Sequence, residues 1–317
     1  MAEETIDLVL SSIELAARDT HLFGFARPDG SPLPAAEAGA HIGLHLPNGL
    51  ERQYSLVHPC ARPDRYTVGI KNDPASRGGS RWLHEEARVG MVFPVSPPRN
   101  NFPLNEAARH SVLFAGGIGI TPIYAMIERL DEIGAGWSLV HACRSGGDAA
   151  FAARLKSRGN VRYHFDEDHG GKPLDIAAEI AAADPASDFY CCGPTPMLAA
   201  FEAAAEMAGI APERVHVEYF TQKFEASRGG GFTVELARSG QETFVEEGQS
   251  ILQAVQAMGV DVPFSCEEGI CGSCETGVLS GLPDHRDAIL TEAEREESRT
   301  MMICCSGCKS DRLVLDL

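Results

Sequence analysis

Apolar residues in the first third of the chain recur at every second position, as Ile6-Leu8-Leu10, Ile42-Leu44-Leu46, Tyr66-Val68-Ile70 and Met91-Phe93-Val95. Turn clusters such as Pro28-Asp29-Gly30 and Pro47-Asn48-Gly49 divide them, and regular short strands of this kind predict a small antiparallel β-barrel. From residue 109 the period changes. Short apolar runs at 111–115, 138–142, 161–165, 189–192 and 215–219 alternate with helical stretches, which predicts a parallel sheet with helices on both faces. Arg228-Gly229-Gly230-Gly231 then reads as a flexible joint. Beyond it come a hairpin pattern from Phe232 to Val245, a helical pattern through Ile251, Leu252, Val255 and Met258, and a closing Leu313-Val314-Leu315. The expected organisation is a multidomain α/β and β protein with modules at 1–105, 106–223 and 232–317 and a linker at 224–231.

Charge narrows the partners. The 317 residues carry a formal net charge of -18. Such a surface repels nucleic acid and anionic membranes, and favours a partner protein with a basic patch. From Phe232 onward 16 acidic residues face 6 basic ones, so 10 of the excess negative charges lie in the last module. Ordinary solubility is the plainer explanation of that excess. No apolar run approaches the ~20 residues of a membrane span. The start Met1-Ala2-Glu3-Glu4-Thr5 lacks the basic and apolar regions of a secretion signal, so a reducing cytoplasm is expected.

Reduced thiols matter because of one spacing. Cys266, Cys271 and Cys274 form C-x4-C-x2-C, and Cys304 follows at a distance. That is the ligand spacing of a plant-type [2Fe-2S] cluster. Gly269 and Gly272 let the backbone curl close enough for its amides to reach the sulfurs. Structural zinc is the alternative, yet such sites usually pair two C-x2-C knuckles and the second is missing here. Cys60, Cys143 and Cys191 read as core residues.

Other stretches carry nucleotide chemistry. Arg52-Gln53-Tyr54-Ser55 sets a cation, a ring and a hydroxyl along one strand, with Arg52 and Tyr54 on the same face. Gly78-Gly79-Ser80 precedes a short helix at 81–84, and free amides with a Ser at such a start suit a phosphate. Gly116-Gly117-Ile118-Gly119-Ile120-Thr121-Pro122 ends the first parallel strand and reads as a cradle of amides for pyrophosphate, with Pro122 as first helical residue. Cys192-Gly193-Pro194 breaks the fourth strand and leaves a small polarizable side chain at the sheet edge. After the second strand, Arg144-Ser145-Gly146-Gly147-Asp148 offers one cation, and Asp148 beside a ribose would repel a 2'-phosphate.

Together these motifs resemble the ferredoxin reductase superfamily, and their order resembles the phthalate dioxygenase reductase and vanillate O-demethylase reductase family over nearly the whole chain. The loop Gly281-Leu282-Pro283-Asp284-His285-Arg286-Asp287 looks like that family's as well. Thr221-Gln222 and Gly307-Cys308 depart from it. The resemblance implies FMN on the barrel, held by Arg52, Gln53, Tyr54, Ser55, Lys71, Gly78, Gly79 and Ser80. It implies NADH at Gly116, Gly117, Gly119, Thr121, Arg144, Cys192, Gly193 and Pro194, and Phe220 over the flavin ring until nicotinamide displaces it. Tyr54, Ser55, Cys192 and Phe220 would surround the reacting atoms. It aligns Cys304, not Cys305, with the fourth ligand of a β-grasp ferredoxin. Nicotinamide gives two electrons and the cluster accepts one, so a flavin between them makes the assembly an electron splitter. No Rieske ligand pairs or H-E-x-x-H occur, which leaves oxygen chemistry to a separate terminal oxygenase docking at the acidic module. A reductase for another acceptor and a cluster-based redox sensor are the alternatives.

Overall fold

The computed structural model of the chain describes residues 5–74 and 76–317. They divide into two units, one ending at Glu218 and the other running from Tyr219 to Leu317.

The first unit opens with six antiparallel strands, β1 (Ile6–Ala17), β2 (Thr20–Ala26), β3 (His41–His45), β4 (Glu51–Ser55), β5 (Arg65–Lys71) and β6 (Val92–Val95), in the order β4-β3-β6-β1-β2-β5. A bridge from Leu56 to Val68 brings the two ends of the sheet together as a barrel. β1 outruns its apolar pattern because register shifts after Leu10 and Leu15 bend it around the core. β2 has no alternation to read, since Leu22, Phe23, Gly24 and Phe25 are all buried. Leu8, Leu10, Phe23, Phe25, Ile42, Leu44, Phe93 and Val95 fill the interior. A short helix, α1 (Gly79–Glu85), sets Trp82 against that core.

Five parallel strands follow, β7 (His110–Gly116), β8 (Gly136–Cys143), β9 (Val161–Phe165), β10 (Asp188–Cys192) and β11 (Val215–Glu218), in the order β11-β10-β7-β8-β9. Helices α2 (Ile120–Ile133), α3 (Ala152–Leu155), α4 (Ile176–Ala182) and α5 (Thr195–Met207) connect them. The strand order reverses at β7, so the carboxyl ends of β7 and β10 form the crevice where such sheets bind ligands. Pro122 is the third residue of α2 rather than the first, because Ile120 and Thr121 already have helical partners; its missing N–H costs nothing in a first turn.

The second unit contains β12 (Phe232–Leu236), β13 (Gln241–Val245), α6 (Ile251–Ala257), β14 (Glu275–Ser280), β15 (Pro283–Asp284), α7 (Glu292–Glu297), β16 (Thr300–Met302), β17 (Gly307–Cys308) and β18 (Arg312–Leu315). The main sheet has the order β13-β12-β18-β14-β16, and β12 with β18 is its parallel pair, giving the β-grasp arrangement. Capping boxes start both helices, Ser250 with Gln253 and Thr291 with Glu294. Among the described residues no helix is long and apolar enough to cross a membrane. Cys143 and Cys191 are buried as expected, whereas Cys60 is exposed. Its backbone bridges Ala36, which satisfies the chain there without burying the thiol.

Candidate functional site

Two loops meet at the carboxyl ends of β7 and β10. A Cβ on Gly119 would stand 2.1 Å from the Cys192 carbonyl oxygen, and one on Gly116 would stand 2.6 Å from Pro194 Cδ, so both positions need glycine for close approach. Gly117 has φ +53°, a left-handed turn that leads into α2. His141 is fully buried beneath this loop, and its Nε2 lies 3.1 Å from the Gly117 carbonyl oxygen. Burial pushes the His141 imidazole down to about 4. It is therefore neutral, and its Nε2–H donates to Gly117. Thr121 packs onto Gly69 of β5, joining the loop to the barrel. On β8, Arg144 follows the strand end; the Ser145 hydroxyl donates to Asp148 at 2.8 Å, and the Gly146 N–H donates to Glu167 at 3.1 Å.

On the barrel, β4 pairs with β3 so that Arg52 and Tyr54 oppose Leu44 and Ile42, while Ser55 and Gln53 point to the other side opposite His41 and Gly43. The Arg52 side chain runs over Gly79, with Nε 3.0 Å from where a Cβ would stand, which brings the guanidinium to the start of α1. Gly78 has φ +101° and carries no side-chain cap; the Ser80 hydroxyl instead bonds Ser76 at 3.0 Å. Tyr54 packs against the barrel core, and burial raises its hydroxyl well above the usual range. Lys71 ends β5 and lies near enough to Cys143 to act on its thiol.

Between barrel and sheet lies a group that the motifs did not reveal. Glu218, the last residue of β11, receives the Cys192 thiol at 3.7 Å and faces the Ser55 hydroxyl. The Ser55 oxygen is itself buried and has no partner of full hydrogen-bond geometry. Desolvation pushes the Glu218 carboxyl up to about 8, and burial with the nearby Glu218 raises the Cys192 thiol far above its usual value. Both are neutral at pH 7. An acidic residue at the carboxyl end of a parallel strand was the available signal, because such ends face ligands. Phe220 belongs to the second unit, so its place over the flavin is taken up below as a proposal.

In the second unit the four motif cysteines arrange as two pairs. The Cys266 thiol donates to Cys271 and holds it below the usual thiol range; the Cys274 and Cys305 thiols donate to Cys304 and hold it below that range as well. Backbone amides converge on the same sulfurs: Glu268 and Ile270 toward Cys266, Ser273 toward Cys271, and Gly269 toward Cys304. Left-handed residues turn these amides inward, Glu267 at φ +56°, Gly269 at +69° and Gly272 at +78°. Glu267 adopts this at a cost of about 1 kcal/mol. Among the described residues no three His, Cys, Asp or Glu side chains surround one point as ligands of a single ion. Paired thiols ringed by amide donors suit a two-iron cluster with two thiolates per iron. Cys305 lies beside Cys304, its sulfur 2.5 Å from where a Gly269 Cβ would be.

Known proteins share this assembly. The 2Fe-2S iron-sulfur cluster binding domain family matches residues 234–309. Phenoxybenzoate dioxygenase subunit beta of Ectopseudomonas oleovorans is 49% identical, over 98% of this chain and 97% of that one. A vanillate O-demethylase oxidoreductase from a Pseudomonas species is 43% identical, over 98% of this chain and all (100%) of the other. The solved structure of phthalate dioxygenase reductase, described as a modular structure for electron transfer from pyridine nucleotides to [2Fe-2S], is 37% identical. It superimposes with a TM-score of 0.72 over 99% of this chain and 98% of its own.

Proposed function

The chain belongs to the phthalate dioxygenase reductase and vanillate O-demethylase reductase family, and on that premise we propose that it takes electrons from NADH and delivers them singly to a separate Rieske-type oxygenase. When bound, a flavin receives the two electrons of a hydride together and a [2Fe-2S] cluster passes them on one at a time. The chain's own residues hold, orient and shield these groups. Arg52 with Gly78, Gly79 and Ser80 holds the phosphate of FMN, supported by Gln53 and Lys71, and Tyr54 and Ser55 line the ring. The amides of 116–121 hold the pyrophosphate of NADH, with Gly193 and Pro194 giving the nicotinamide room and Cys192 packing beside it as a neutral thiol. Neutral Glu218 keeps a proton within reach of Ser55 and Cys192 and puts no negative charge beside the reacting atoms. Asp148 and Glu167 already hold the Ser145 hydroxyl and the Gly146 N–H, and their charges would repel a 2'-phosphate. Phe220 covers the flavin ring in the absence of nicotinamide. Cys266, Cys271, Cys274 and Cys304 hold the cluster, and the acidic face of the second unit receives the oxygenase. The thiols stay available in a reducing cytoplasm.

The observation that carries this reading is the meeting of Ser55, Cys192 and Glu218, which brings the flavin strand and the nicotinamide strand to one point. The purified protein should be coloured, with about one flavin, two iron and two labile sulfide per chain. It should reduce cytochrome c with NADH at a kcat/KM well above that with NADPH. Zinc without sulfide would remove the cluster, adenine in the extracted flavin would replace FMN by FAD, and equal use of both nucleotides would remove the Asp148 argument.

A further inference from the structure

Four buried polar atoms without a hydrogen-bond partner gather in one place in the second unit: Nδ1 and Nε2 of His285, Oδ1 of Asp287 and Nε of Arg295. Asp287 is completely buried. Its Oδ2 accepts the N–H groups of Ile289 at 3.1 Å and Leu290 at 2.8 Å. Arg295 Nη2 stands 3.8 Å from the same carboxylate and His285 Nδ1 stands 3.9 Å from it, both beyond hydrogen-bond reach. The guanidinium also donates to the Asp287 carbonyl oxygen at 2.5 Å. Desolvation, opposed by Asp287, pulls His285 below its ordinary value, while Lys309 and Asp284 act on it with opposite signs. His285 is therefore neutral, and the buried Asp287 carboxylate faces the partly exposed Arg295 guanidinium.

Such a pair contributes little to stability, because desolvation of two charges held short of hydrogen bonding offsets their attraction. Its position gives it another effect. Asp287 Cα lies 3.0 Å from where a Cβ on Gly269 would stand, and the Ala288 N–H donates to the Gly269 carbonyl at 2.8 Å. Gly269 lies between Cys266 and Cys271 and turns its own N–H toward Cys304. One residue layer thus separates the carboxylate from the sulfurs. Charges in a poorly screened interior act strongly over such distances, and cluster potentials respond to local charge.

We propose that Asp287 and Arg295 form a charge pair that sets how readily the cluster accepts its electron, Asp287 disfavouring reduction and Arg295 favouring it. This rests on the reading that the four cysteines hold a [2Fe-2S] cluster. Neither residue touches the reacting atoms; they act through the field at the cluster and through the 287–290 turn that holds Gly269.

The test uses the full-length holoprotein with its cluster titrated against redox dyes. Asp287→Asn keeps an oxygen for the Ile289 and Leu290 amides and removes the charge; Arg295→Met removes the opposite charge from a side chain that is partly exposed. At one ambient potential the ratio of reduced to oxidised cluster should rise about threefold or more in D287N and fall about threefold or more in R295M. Arg295→Lys should restore the ratio. A purely structural role would move both variants in the same direction, and that result, or no shift in either, overturns the proposal. Should D287N not assemble, the direction of the R295M shift and its recovery in R295K decide. Iron, sulfide and visible spectra of the unsubstituted protein are read first, so loss of the cluster reading is distinguished from loss of this one.

Discussion

Two glycine-rich loops, proposed above to hold anionic groups, are held in place differently. The loop at 116–121 is pinned by scaffold: the Cys192 carbonyl crowds Gly119, His141 holds Gly117, and a sheet and a helix flank it. The loop at 259–274 has no strand or helix of its own; Val262 and Cys274 anchor it in the core, the turn at Asp287 and Ala288 backs Gly269, and between these points its amides aim at sulfurs. A loop shaped by scaffold is ready before its ligand arrives, as a nucleotide exchanged at every turnover requires. A loop whose donors point at sulfur gains its order from the group it encloses, which suits a resident cluster. On the proposed function, exchange belongs to the first unit and the permanent relay to the second.

The largest effect expected from this contrast comes from separating the units. Residues 1–228 retain the barrel, the parallel sheet and both nucleotide loops, so the fragment should fold, keep flavin and oxidise NADH with ferricyanide at close to the intact rate. Its transfer to the cognate oxygenase should vanish, because the relay and most of the acidic face lie downstream. In the intact protein, raising salt from about 0.05 to 0.5 M should slow transfer to an oxygenase docking at the acidic face and should not slow turnover with ferricyanide, since screening weakens the attraction of opposite charges and ferricyanide is itself an anion. Undiminished oxygenase support by the fragment would break the contrast at its root.

A second effect is narrower, confined to two adjacent thiols. Cys304 pairs with Cys274 and receives the Gly269 amide, whereas Cys305 reaches Cys304 as a second neighbour and packs its sulfur against Gly269. Cys304→Ser should abolish or reshape the reduced-state resonance of the cluster and lower the midpoint of thermal unfolding of the second unit. Cys305→Ser should leave the resonance in place. The reverse pattern would exchange their roles.

How much of this was legible in the residues depended on whether a local rule or a distant contact decided each feature. Alternation at Tyr66-Val68-Ile70 and the C-x4-C-x2-C spacing report local geometry, and the strands and cysteine pairs follow them. β2 was not legible, because burial on both sides erases alternation. Cys60 misled, since a thiol's usual burial gave way to a backbone bridge at Ala36. Glu218, Glu167 and His141 take their meaning from partners 26, 21 and 24 residues away in sequence. No spacing rule encodes those meetings.

The smallest effect concerns the proton on Glu218. In the unfolded chain its carboxyl ionises at the ordinary value of 4.5, and in the folded chain burial pushes it up to about 8. Between these values the folded protein binds the extra proton, so the contribution of this group to stability falls as pH rises from about 4.5 toward about 8. Glu218→Gln removes that titration while keeping an oxygen to receive the Cys192 thiol. The variant should therefore show a flatter loss of thermal stability across this range, with flavin content unchanged. Hydride transfer from NADH should lose its alkaline limb near pH 8 as well, because the glutamine never places a charge beside Ser55 and Cys192. If the unsubstituted protein and the variant share one pH profile in both measurements, Glu218 is ionised throughout, and the first unit does not keep its proton where the crowding of Ser55, Cys192 and β11 puts it.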